Sequence, residues 1–214
     1  MTAIGSTGGP LRWRRRGATL FAGLLGTTSV LAASGCGYGP VSQMTAAPDA
    51  QKTAFAWFHA VPAPVGWRSL ALPDATAVLS IPPDATPVPG DPGTVSATVT
   101  APKGGLGIYL NATPQQGDES QSNWPEFRLA HLKGEHAASA DRLSSRAGMS
   151  FRGGRGSCVE DTYVTRVGAH QYREIACLVA GIRGSSVLVA AAPAGSWDLY
   201  SPVVEQAVDA YAAE

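Results

Sequence analysis

Cys158-Val159-Glu160-Asp161-Thr162-Tyr163-Val164-Thr165-Arg166-Val167-Gly168-Ala169-His170-Gln171-Tyr172-Arg173-Glu174-Ile175-Ala176-Cys177 is the stretch whose reading decides the fold. Residues 159–167 and 171–180 have the composition of strands, and Val167-Gly168-Ala169 between them reads as a turn. The midpoint of positions 158 and 177 falls inside that turn. An antiparallel hairpin therefore sets the two cysteines opposite one another, within bonding reach. A redox-active or metal-binding pair would instead show close spacing such as Cys-x-x-Cys, or histidines in register. The sequence has neither, so Cys158 and Cys177 are expected to form a structural disulfide.

Downstream, residues 185–192 contain Val187-Leu188-Val189-Ala190-Ala191-Ala192, an apolar run suited to a central strand buried on both faces. A closing helix is expected from about Pro202, capped by Ser201, with Val204, Val208 and Tyr211 on one face. Upstream, residues 67–72, 77–81, 94–100 and 106–111 read as short strands. The proline-rich residues 82–93 read as a stiff connection. A first helix should begin near Asn123, with Trp124, Pro125 and Glu126 in its first turn and Phe127, Ala130 and Leu132 facing inward. Residues 137–146 are expected to continue as a second helical piece. This order predicts an α+β domain, an antiparallel sheet with helices packed on it.

The N-terminus carries a different signal. Arg12, Arg14, Arg15 and Arg16 form a basic cluster, and residues 18–34 carry no charge. A basic stretch, a short apolar stretch and small residues before a cleavage point make an export signal. The apolar run is shorter and more polar than the ~20 residues a membrane span needs. It ends in Leu31-Ala32-Ala33-Ser34-Gly35-Cys36, which resembles the lipobox of bacterial lipoproteins, with Ala33 where Leu or Val is usual. The resemblance implies that residues 1–35 are removed and that Cys36 becomes the diacylglyceryl-modified first residue. Stable anchoring needs more than one acyl chain, and diacylation satisfies that. The consecutive arginines leave open whether export follows the general or the twin-arginine route.

Removing 35 of the 214 residues leaves a chain with 12 basic and 16 acidic side chains, net −4. That balance lacks the clustered Lys and Arg that nucleic acid requires, and membrane affinity falls to the acyl chains. Arginine outnumbers lysine 13 to 3, and Ala, Gly and Pro are abundant. These residues have GC-rich codons, so an actinobacterial source is expected. Residues 36–52 are small and polar and read as a flexible tether, leaving 53–214 as a single domain.

The segment Val65-Gly66-Trp67 entering a strand and proline-rich loop, the strand ending Ala191-Ala192-Pro193, and Trp197 before a final helix resemble the PsbP-like α/β/α sandwich. That fold occurs in photosystem extrinsic proteins and in actinobacterial lipoproteins of the Lpq type. The resemblance implies a binding or accessory role and supplies no functional residues.

Motifs for chemistry are sparse. The sequence has no Gly-x-Ser-x-Gly elbow, phosphate loop or Ser-x-x-Lys. His131, Glu135 and His136 are one residue too far apart for the inverted zinc motif, and read as polar residues at a helix end. Neither a metal nor another cofactor is expected. Asn111 and Thr113 either satisfy a turn backbone or belong to a binding loop beside Trp124. Arg152-Gly153-Gly154-Arg155-Gly156 reads as a mobile basic loop, and Trp57, Phe58 and His59 as an arm packed on the domain. Two functions follow. The first is a non-enzymatic, lipid-anchored accessory protein on the extracytoplasmic face of the cell membrane, with an envelope lipid, an envelope polymer or another protein as partner. The second is an envelope hydrolase whose site gathers dispersed residues such as His59, Asp118, Glu119 and His131.

Overall fold

The computed structural model describes residues 54–214. The expected export signal, Cys36 and the expected tether lie outside the described residues. Among the described residues, two antiparallel sheets, two α-helices and a short 3-10 helix (Ala194–Ser196) make up the fold. Strands β1 (Arg68–Ala71), β2 (Ala77–Ile81) and a short β10 (Ala212–Ala213) form a small sheet in the order β1-β2-β10. Strands β3 (Thr86–Val88), β4 (Val95–Thr100), β5 (Leu106–Pro114), β6 (Ala137–Phe151), β7 (Gly154–Thr165), β8 (Gln171–Ala180) and β9 (Ser185–Pro193) form a large one in the order β3-β4-β5-β9-β8-β7-β6. Helix α1 (Trp124–Glu135) packs on β6 and β7, and α2 (Trp197–Asp209) on β9.

The expected α+β class holds, and the decisive hairpin has the expected register. Cys158 pairs with Cys177 across β7 and β8, their Cα atoms 4.1 Å apart and their sulfurs bonded. Both side chains are fully buried. Strand β9 is central, between β5 and β8, and every residue from Val187 to Ala192 is buried. Its even positions, Leu188, Ala190 and Ala192, join the disulfide, Ile175 and Val179 in the main core beneath Val204, Ala207, Val208 and Tyr211. Its odd positions, Val187 and Val189, face the other way and meet Val159, Ala176, Leu178 and Trp124 in a second core under α1. Period-two alternation thus splits one sheet between two apolar layers.

Several expectations are corrected. Residues 137–146 are not helical but open β6, the edge strand paired with β7. Ala137 and Ala140 are its buried residues there, a spacing of three that mimics a helix. A register shift between Ala137 and Ser139 produces that spacing, because a bulge inserts a residue and rotates the next side chain across the sheet. Exposed Asp141, Arg142 and Arg146 keep this edge polar, which discourages pairing with another chain. The connection 82–93 contains a strand, β3, paired with β4. Helix α2 begins at Trp197, a turn and a half before Pro202, which lies inside it. In α1, Trp124 and Leu132 are buried but Ala130 is exposed, so the inward stripe runs through Trp124, Arg128 and Leu132.

The segment Arg152-Gly153-Gly154-Arg155-Gly156 is also no loose loop. It is a tight β6–β7 turn leading into β7, and the chain's end lies against it: the Ala213 amide donates to the Arg152 carbonyl at 2.9 Å. Gly153 has φ +73°, and a Cβ there would sit 1.9 Å from the Ala213 carbonyl oxygen. Close approach of two backbones explains this glycine. The N-terminal arm packs as expected: Phe55 is buried, Trp57 and Phe58 lie against the main core, and Phe58 meets Phe151 at 4.7 Å between ring centroids. The His59 amide donates to Asp209 Oδ1 at 2.7 Å.

Replacing both Cys158 and Cys177 by Ser should lower the unfolding free energy by about 3 kcal/mol, the loop-closure contribution for a hairpin of this length. Urea denaturation measures it, and a loss below about 1 kcal/mol would contradict the disulfide's structural role.

Candidate functional site

Helix α1 covers only part of the outer sheet face. It starts where the 115–123 loop returns over β7, held by Ser157 Oγ donating to the Gln121 carbonyl at 2.7 Å. Asn123 precedes it, and Pro125 occupies the first turn, where its missing N–H is no loss. Trp124 is 2% exposed and its indole N–H donates to the Ala176 carbonyl at 2.9 Å, fixing the helix start over β8. One turn on, Arg128 reaches the sheet: Nε and Nη2 donate to the two carboxylate oxygens of Glu174 at 2.7 and 3.0 Å. Glu174 is 1% exposed. A bidentate pair in so dry a site fixes the helix azimuth as well as its position.

Beyond this pair the face is uncovered. A cleft of about 790 Å³ opens between α1 and the β3–β4 connection, within the roughly 300–1,000 Å³ usual for small-molecule sites. Its floor is the outer face of β4, β5 and β9, with Ser96, Tyr109, Asn111, Thr113, Val187 and Val189. One wall is a row of rings along α1. Trp124 and Phe127 stack at 6.2 Å between centroids, and Phe127 and His131 at 6.3 Å. The opposite wall is residues 89–91 and Thr94. Gln116, Gly117 and Glu119 close one end, and His136 and Tyr163 also line the cleft.

The polar groups on the floor are held in place. Asn111 Nδ2 donates to Ser96 Oγ at 2.8 Å, and Gln116 Nε2 donates to Thr113 Oγ1 at 3.1 Å. Asn111 and Thr113 therefore do not serve a turn. Strand β5 runs on to Pro114, and both residues face the cleft. Of the dispersed residues proposed for a hydrolase, Glu119 and His131 meet in this cleft. His59 is bound at Asp209 instead, and Asp118 is not among the lining residues. Burial, then nearby Arg128, pushes the His131 pKa below its ordinary value, favouring the neutral ring. Glu135 does not line the cleft, and no three potential metal ligands converge among the described residues.

The most unusual electrostatics lie at the cleft's inner edge. Asp161 is paired cross-strand with Glu174, is fully buried, and neither of its carboxylate oxygens has a hydrogen-bond partner among the described residues. Burial, then Glu174, pushes its pKa up to about 9 against the opposing pull of Arg128. Burial works against the charge on Arg128 too, but Glu174 outweighs it and holds the guanidinium pKa above its usual value. Burial and Glu174 thus favour the protonated form of Asp161 beside the Arg128–Glu174 pair. Sequence reasoning missed this triad, yet a signal existed. Positions 161 and 174 share the midpoint of 158 and 177, so the register that pairs the cysteines also pairs the two acids. An odd offset from the cysteines puts them on the opposite face.

Comparisons with known proteins speak to the fold. No protein-family model matches the chain. No curated protein matches it either. Among solved structures, cyanobacterial PsbP (CyanoP) from Synechocystis sp. PCC 6803 aligns with a TM-score of 0.52 at 7% identity, covering 71% of this chain and 94% of that one. This likeness shows that the chain shares the PsbP-like arrangement of helices on an antiparallel sheet. A protein of unknown function from Pseudomonas aeruginosa, PA94, described as a putative regulator, aligns at 0.39 and 9% identity, over 67% and 94% of the two chains. LpqN of Mycobacterium tuberculosis, described as involved in cell envelope biogenesis, aligns at 0.33 and 13% identity, over 71% and 80%. At these scores the last two add nothing to the fold assignment.

The raised pKa of Asp161 has a stability consequence. The folded chain keeps a proton that the unfolded chain releases above the ordinary carboxylate range, so this residue lowers stability progressively as pH rises from about 4 towards 9. Asp161→Asn removes the ionisation. Its stability relative to the parent should improve by several kcal/mol between pH 4.5 and pH 8, at about 1.4 kcal/mol per pH unit. Urea denaturation at the two pH values measures this, and a relative stability unchanged between them contradicts it.

Proposed function

We propose that this chain is a lipid-anchored, non-enzymatic binding protein of the bacterial cell envelope, carrying its ligand in the α1–β5 cleft on the extracytoplasmic face of the membrane. The observation that carries the reading is the cleft: a pre-formed concavity with a ring-lined wall, an apolar patch at Val187 and Val189, and polar side chains held by hydrogen bonds. Such a mixture is the usual make-up of small-molecule sites. The lipobox-like sequence ending at Cys36 supports the location. Loss of residues 1–35 and acylation of Cys36 would tie the domain to the membrane through residues 36–52.

A second reading has a specific observation behind it. Glu119 and His131 line the same cleft, so an envelope hydrolase with a dispersed site keeps two of its four residues. Each is partly engaged, however. Glu119 accepts from the Gln116 amide at 2.9 Å, and His131 stacks on Phe127.

Isolation of the intact lipidated protein from its own membrane tests both readings, with bound lipids and small molecules identified by mass spectrometry. Thr113→Trp, which fills the cleft floor, is the comparison. A species enriched at least tenfold with the parent and lost with Thr113→Trp is expected. Equal recovery with both proteins contradicts a cleft ligand. A cleaved molecule on the parent, with the intact one on His131→Ala, would favour the hydrolase. Cys36→Ser should move the protein from the membrane to the soluble fraction, and retention there would contradict the anchor.

A further inference from the structure

From the cleft's chemistry we infer that its ligand is amine-bearing, with an ammonium group received by the Glu119 carboxylate and its carbon framework lying on the ring wall of α1. This rests on the binding reading above and specifies the ligand class. Glu119 is only 6% exposed, and its Oε1 is satisfied by the Gln116 amide. Its Oε2 is buried and has no hydrogen-bond partner among the described residues. A buried acceptor left unmatched has lost its water without a replacement bond, a loss that a ligand N–H or O–H would offset. The loop is built around this carboxylate. Gln115 Nε2 donates to the Glu119 carbonyl at 2.7 Å, and a Cβ at Gly117 would come within 2.8 Å of Oε2. Substitution at Gly117 would crowd the free oxygen.

Charge decides which kind of donor fits. The cleft's one arginine, Arg128, is paired with Glu174 through both carboxylate oxygens. His131 is held towards its neutral form by burial and by Arg128. Asp91 on the rim and Glu119 inside remain as carboxyls with no cation among the described residues bonded to either. A site of this sign attracts a cation and repels a phosphate or carboxylate ligand. The ring of Phe127, backed by the buried Trp124, adds a surface that favours a cation or the C–H bonds beside one. A neutral polyol would satisfy Oε2 equally well but would leave the charge surplus unused.

The test uses the mature lipidated chain in detergent micelles, titrated by calorimetry with two matched pairs. Glucosamine is compared with N-acetylglucosamine, and Nα-acetyl-lysine amide with its Nε-acetylated form. The expected result is binding of at least one amine tenfold or more tighter than its acetylated partner. Thr113→Trp should abolish that binding, and Glu119→Gln should reduce the preference below threefold while the thermal unfolding midpoint stays within a few degrees. Equal affinity within both pairs at the cleft overturns the inference and leaves the binding reading standing. Retained preference in Glu119→Gln overturns the role of Glu119. If no probe binds, the inference falls. The binding reading falls as well only if the native-membrane isolation also recovers nothing specific to the open cleft.

Discussion

A seven-stranded sheet is about 30 Å wide at ~4.8 Å per strand, whereas one helix with its side chains is about 10 Å across. A single helix therefore cannot cover one face of this sheet, and where it lies decides what stays open. Arg128 and Glu174 make that choice. Their bidentate pair ties α1 over β8, with the Trp124 indole as a second fixed point. The half over β4, β5 and β9 is left as a cleft. On the other face, α2 and the small sheet close the main core around the disulfide. The two faces thus divide the work between stability and access.

A buried ion pair is an expensive way to fix a helix, because desolvation offsets much of the attraction. Apolar residues of similar volume would hold α1 on the sheet as firmly. They would not fix its rotation so well, since dispersion contacts lack the planarity of a guanidinium–carboxylate fork. Asp161 adds to the burden, a third ionisable group kept neutral beside the pair. That three such groups persist under α1 suits a site where helix placement matters more than maximal stability. It also explains why the cleft's own acid, Glu119, stands without a cation: the local arginine is already engaged.

The sequence carried the fold better than the site, for reasons that lie in particular residues. The Cys158–Cys177 hairpin and the Val187–Ala192 strand were legible because burial on one or both faces writes a simple pattern. Strand β6 was not, since its bulge places Ala137 and Ala140 three apart and imitates a helix. The start of α2 was missed because Pro202 reads as a first-turn residue, whereas Trp197 and an intervening turn of helix precede it. In the site, Glu119 and His131 were named but not their meeting, which depends on how the 115–123 loop folds back over the sheet. The Asp161–Glu174 pair was derivable from the cysteine register, yet alternate charged residues on a strand usually signal a solvent face. Only the presence of α1 turns that face inward.

The central claim is that Arg128–Glu174 sets α1 over one half of the sheet. Native-state amide hydrogen exchange of Arg128→Met tests it directly, because the variant leaves the Glu174 carboxylate buried without its cation. Breaking one partner of such a pair is worth about 3–5 kcal/mol, or roughly two to three and a half orders of magnitude in an opening equilibrium. The account predicts that α1 amides lose at least a hundredfold in protection while the disulfide-linked β7 and β8 amides retain theirs. Unchanged α1 protection would contradict it.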